Sequence, residues 1–140
     1  MRAAIALYIF VVAVVYHTLL RHLWEPQGIQ LATDIAFHSV MPALYLIDWI
    51  FFADKRPMRY AHIPYWVIYP LIYGAYTILR GALSGVYPYP FLNVTELGIG
   101  GVLINMTGFL GLYGVGAAAF ITLGWFLSKP EGAAAEMPHS

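Results

Sequence analysis

Asp34, His38, Met41, Tyr45 and Asp48 follow one another at intervals of four, three, four and three residues. On a helix that spacing puts all five on one face, and three of the five can ionise. The stretch around them, Ala36 to Trp49, is otherwise apolar enough for a lipid bilayer. An ionisable group at that depth faces a bundle interior, a wet cavity or a partner group. A histidine so placed would suit a general base, because a hydroxyl nucleophile is weak until a base activates it. Asp34, one turn from His38, would orient its ring. Pro42 lies inside the same stretch, so a kink is expected there, with the carbonyl of His38 left without its helical donor.

Three further polar residues reach the same depth from other segments. At about 1.5 Å per residue, His38 falls roughly 13 Å below the start of its segment, and Thr77 and Asn105 fall at roughly 10–14 Å in theirs. Asp34 and Arg80 are shallower and level with each other, which predicts an ion pair between them. Arg80 and Asn105 would then stabilise an oxyanion or hold a fatty-acid carboxylate. Each residue also has a plainer reading. His38 would bond a neighbouring helix, Asp34 would be an N-cap, and Arg80 would snorkel to the interface. Thr77 and Asn105 would be helix–helix glue, and Asp48 would pair with the basic loop that follows it. His17, His22, His62 and His139 show no ligand spacing, so no metal and no cofactor is called for.

The elements that must position these residues are dictated by composition. The chain has 140 residues, is 61% hydrophobic and only 10% charged, against about 25% charged in soluble domains. Mean hydropathy is +0.70. Net charge is zero and no long basic run occurs, which excludes nucleic acid as a partner. There is no cysteine, so thiol chemistry and disulfides are excluded. Four apolar segments are expected, at about 3–20, 29–53, 63–84 and 96–127, each near the ~20 residues a spanning helix needs. The fold class is therefore an all-α, multi-pass bundle of four transmembrane helices in a cell membrane, one domain over 1–127. A polar tail over 128–140 is expected to be disordered.

Between the segments lie recognisable breaks. Pro26 and Gly28 close the first, and the loop around Asp54–His62 is the most basic part of the chain. Tyr87-Pro88-Tyr89-Pro90-Phe91 cannot be regular helix, because each proline disfavours helix at the residue before it; it is expected to form a stiff aromatic cap. Gly98, Gly101, Gly108, Gly111 and Gly114 give the last segment smooth patches for close helix packing. With four spans, Arg2, Lys55, Arg56, Arg59 and Lys129 share one side and Arg21 lies on the other, which predicts cytoplasmic termini.

His38-Ser39-Val40-Met41-Pro42, Leu46-Ile47-Asp48-Trp49 and Gly85-Val86-Tyr87-Pro88-Tyr89-Pro90-Phe91-Leu92 resemble the androgen-induced-protein family of membrane proteins, and its small bacterial relatives most of all. The resemblance implies an intramembrane hydrolase of fatty acid esters of hydroxy fatty acids, with a threonine nucleophile and a histidine base matching His38. The four segments resemble the last four of the family's six spans, and no threonine here matches the family nucleophile. The chain is thus expected to be an N-terminally shortened form, or one whose chemistry is lost or supplied otherwise. Among nearby hydroxyls, Ser39 points about 100° from His38 and Thr77 is the better substitute. The expectation is an intact base in an incomplete site. Partners reduce to membrane lipids, a lipid-ester substrate and a second copy of the chain. The alternative is a non-catalytic membrane protein that binds lipid or serves as an assembly subunit.

Overall fold

The computed structural model describes residues 2–55 and 58–128. The tail from 129 onward, including Lys129 and His139, lies outside them, as do Arg56 and Pro57 of the basic loop. The chain is all-helical, with no strand among the described residues. Four long helices follow one another: α1 (Arg2–Leu20), α2 (Ile29–Phe52), α3 (Ile63–Ser84) and α4 (Val94–Leu127). Three of them, α1, α2 and α4, are long and apolar enough to cross a membrane. The third, α3, has the length at 22 residues, but four tyrosines and two prolines lower its apolar character.

Local sequence explains where the helices begin and end. Asn93 caps α4, its side-chain oxygen accepting from the backbone N–H groups of Thr95 at 3.0 Å and Glu96 at 3.4 Å. The helix therefore starts at Val94, two residues before the expected boundary. Gly98 kinks it at φ 65°, a conformation glycine adopts without a Cβ penalty. Gly85, at φ 72°, stops α3. Lys55 is buried and donates to the carbonyls of Ile50 at 2.8 Å and Ala53 at 2.9 Å, closing the end of α2. The aromatic cap forms as expected. Pro90–Leu92 makes one 3₁₀ turn, Tyr89 stacks on Phe91, and Phe91 packs on Phe109. Burial, then the neighbouring Tyr73 hydroxyl 3.0 Å away, pushes the Tyr89 phenol far above its usual pKa, so it stays protonated.

Helix α1 is central. It packs against α2 and α4, and α4 packs against α3. One shared core occupies the end that carries Ala3, Lys55, Met58 and Gly124. There Leu7, Trp49, Trp66, Phe120 and Ile121 are buried together, and Tyr8 donates to the carbonyl of Trp66 at 2.7 Å. Towards the other end, burial divides between two seams. Tyr16 and Asp34 are buried between α1 and α2, while Thr77 and Val102 are buried on α3 and α4.

Glycine use differs from expectation in an informative way. Gly116 and Gly124 are the α4 glycines that meet other elements: a Cβ at Gly116 would lie 2.7 Å from Leu7 of α1, and one at Gly124 would overlap Met58 of the loop after α2. Gly100, Gly108, Gly111 and Gly114 meet nothing within 4 Å where a Cβ would lie. Gly101 meets only Leu97 of its own helix. The smooth glycine patches are therefore not what packs this chain together.

Candidate functional site

Two of the long helices each contain a π-turn, and the candidate polar groups cluster at these two turns. Tyr16–Leu20 at the end of α1 and Ala36–Val40 in the middle of α2 are π-turns, a rare form concentrated at functional sites. For α2 the cause is visible in the sequence. Pro42 has no N–H to give, and its ring would press on the carbonyl of His38. Widening the turn just ahead of it relieves that clash, so the expected kink is realised as a π-turn.

The extra residue resets the helix face. Asp34 is 7% exposed, but Met41 is 54% exposed and it is Pro42, then Trp49 and Ala53, that are buried. The expected stripe Asp34–His38–Met41–Tyr45–Asp48 is thus interrupted after His38. Tyr45 packs against the core, and Asp48, half exposed, has Arg2 at 3.9 Å. Asp34 is no N-cap either: α2 begins five residues earlier, with Gly28 in the capping position.

What Asp34 does instead is bond across the seam. Tyr16, 5% exposed, donates its hydroxyl to Oδ2 of Asp34. The Tyr16 ring also lies flat on the His38 imidazole, with centroids 3.9 Å apart and planes within 12°. His38 Nδ1 sits 3.1 Å from the Asp34 backbone oxygen and 3.1 Å from its Oδ1. The backbone oxygen has hydrogen-bond geometry; Oδ1 does not, and it is the single buried side-chain polar atom left unbonded among the described residues. Both neighbours of Nδ1 are acceptors, so Nδ1 carries the proton of the neutral ring and Nε2 keeps the lone pair. In that form the half-buried imidazole, its Nε2 without a hydrogen-bond partner among the described residues, has what a general base requires.

A second contact crosses the same seam one residue on. His17 Nε2 lies 3.1 Å from the Ser39 hydroxyl. Successive residues of each π-turn, Tyr16–His17 on α1 and His38–Ser39 on α2, thus make the contacts across the seam. Sequence reading did not single out Tyr16 or His17 as site residues, and it set Ser39 aside in favour of Thr77. The available signal was that the short 21–28 connection makes α1 and α2 antiparallel neighbours, so polar groups in the last turns of one meet those in the first turns of the other.

The remaining candidates lie elsewhere. Thr77 is 2% exposed on α3 and donates to its own Tyr73 carbonyl at 2.9 Å. Asn105 of α4 donates to the Phe91 carbonyl at 2.9 Å, fastening the aromatic cap. Arg80 is exposed and lines a shallow groove of about 290 Å³ with Tyr76, Leu79, Leu83 and Ser84. No ion pair joins it to Asp34. The structure therefore keeps Asp34 with His38 and separates Thr77, Arg80 and Asn105 from them. Equal depth did not mean proximity, because α3 packs on α4 while Asp34 and His38 face α1. No described group of three or more His, Asp or Glu side chains has metal-binding geometry. Comparison with protein-family models, curated proteins and solved structures returns no match.

Proposed function

We propose that the chain is a four-span membrane protein with cytoplasmic termini, and that its α1–α2 seam is the acid–base centre of a lipid-ester hydrolase. The observation that carries this reading is the buried Asp34 side chain, bonded by Tyr16, beside a His38 ring whose Nδ1 faces two acceptors of Asp34. His38 is the base; Asp34 and Tyr16 position it. At 22 residues α3 is about 33 Å long, enough for a fourth span, and its tyrosines suit the membrane interface. The distribution of Arg2, Lys55, Arg56, Arg59 and Lys129 against Arg21 supports the orientation. The resemblance to the androgen-induced-protein family supports the substrate class, a fatty acid ester of a hydroxy fatty acid, with the cell membrane as its place.

The test is ester turnover by the purified chain in lipid nanodiscs. His38→Gln should lower it by about 10²–10⁴-fold, the usual worth of a general base. Turnover unchanged in His38→Gln would refute the assignment. A second reading, a non-catalytic lipid binder or assembly subunit that pairs with a second copy, is favoured by the uncovered glycine face of α4. That reading expects no turnover and an oligomer that Gly111→Leu disrupts.

A further inference from the structure

Most serine and threonine hydroxyls within the described helices follow one rule. Thr18, Thr33, Thr77, Ser84, Thr107 and Thr122 each donate to the carbonyl four residues earlier in their own helix, at 2.7–2.9 Å. That bond is the default for a helical hydroxyl with apolar surroundings, and it ties up the proton. Ser39 makes no such bond. Its hydroxyl is 3.1 Å from His17 Nε2 on the facing helix. Both side chains are half-buried rather than sealed. His17 lies three residues, about 5 Å, before the end of α1, and Ser39 ten residues, about 15 Å, into α2.

We propose that Ser39 is a nucleophile and His17 its base, so that the chain carries its own covalent chemistry at the seam. The proposal rests on the ester-hydrolase reading above and deepens it. The Ser39 proton passes to His17 Nε2 as Oγ attacks the ester carbonyl carbon. The bond to the alcohol oxygen breaks, and the departing alkoxide takes the proton from His17. The acyl group is left on Ser39. His38 Nε2 has no hydrogen-bond partner among the described residues and is free for the second step. It accepts a proton from water as the hydroxide attacks the acyl carbon. The acyl–Oγ bond breaks, the imidazolium returns its proton to Oγ, and the fatty acid leaves. The site thus divides acylation and deacylation between two imidazoles on opposite helices.

The experiment uses the full chain in lipid nanodiscs and an alkyl fluorophosphonate, with peptide mass spectrometry to locate the adduct. The adduct is expected on Ser39. It should be absent in Ser39→Ala and slowed by about 10²-fold in His17→Gln. In His38→Gln it should persist although ester turnover is lost, because only the second step needs that ring. Turnover that survives Ser39→Ala, or an adduct on another residue, overturns this inference and leaves the hydrolase reading standing. A wild-type chain that neither turns over esters nor takes the label overturns both. A readout independent of activity comes from Ser39→Cys, since the chain has no other thiol. A thiol beside His17 should be alkylated by iodoacetamide at pH 7 about 10-fold faster than in Ser39→Cys/His17→Gln. Equal rates would show that the two side chains do not meet, and would overturn the pairing.

Discussion

Tyr16→Phe isolates one bond of the seam. The substitution keeps the ring that stacks on His38 at 3.9 Å and removes only the hydroxyl that reaches Asp34. Asp34 is 7% exposed and its Oδ1 is already unbonded, so the variant leaves both carboxylate oxygens buried and unsatisfied. A hydrogen bond to a charged group contributes about 1.5–3 kcal/mol, whereas neutral side-chain bonds between membrane helices average about 0.6 kcal/mol. The two figures separate an ionised Asp34 from a protonated one. With Asp34 ionised, Tyr16→Phe should lower the free energy of unfolding in detergent by about 1.5–3 kcal/mol. In an Asp34→Asn background the same change should cost only about 0.6 kcal/mol. The assay is reversible denaturant unfolding followed by tryptophan fluorescence, since Trp49 and Trp66 are buried in the shared core. A loss equal in both backgrounds to within about 0.5 kcal/mol, the usual limit of additivity, would refute the buried Tyr16–carboxylate bond and the orientation of His38 that depends on it.

Asp34→Asn and Arg80→Gln should be additive in stability to within about 0.5 kcal/mol, because Asp34 is bonded to α1 and Arg80 lies on α3; measurable coupling in a double-mutant cycle would contradict the helix arrangement. Gly116→Val should destabilise by about 1–3 kcal/mol by overpacking against Leu7. Gly108→Ala, which meets open space, should be neutral or stabilising by up to about 1 kcal/mol, and denaturant midpoints of the two variants check the contrast. Reporter fusions after Lys129 and within the 25–28 turn should be active on opposite sides of the membrane, with Lys129 cytoplasmic; an external reporter at Lys129 would overturn the proposed orientation.

The helices were legible because each long apolar run leaves its backbone groups only each other as partners. The breaks at Pro26–Gly28 and Tyr87–Phe91 were legible from residues that cannot continue a helix. The neighbours of each helix were not. Counting residues down a segment gives depth, and depth grouped His38 with Thr77, Arg80 and Asn105. Which helix a face meets depends on the summed packing of Leu7, Trp49, Phe120 and Ile121 at the opposite end of the bundle, and no local motif encodes that sum. The glycine pattern misled for the same reason. Gly116 and Gly124 make close contacts because Leu7 and Met58 lie over them, and not because of their spacing in the chain.

The π-turn in α2 was half legible. Pro42 announces a fault in the hydrogen-bond ladder, but a fault can be met by a bend or by one inserted residue. A bend would keep the four-three spacing and bury Met41, Tyr45 and Asp48 beneath His38. Insertion moves the buried face on by one position, to Pro42, Trp49 and Ala53. That choice has a consequence for chemistry. The inserted residue falls in Ala36–Val40, the turn that carries both His38 and Ser39, and there His38 stacks on Tyr16 and Ser39 reaches His17. Pro42 takes part in no hydrogen bond of the seam, yet the fault it imposes on the ladder falls in the turn that carries both His38 and Ser39.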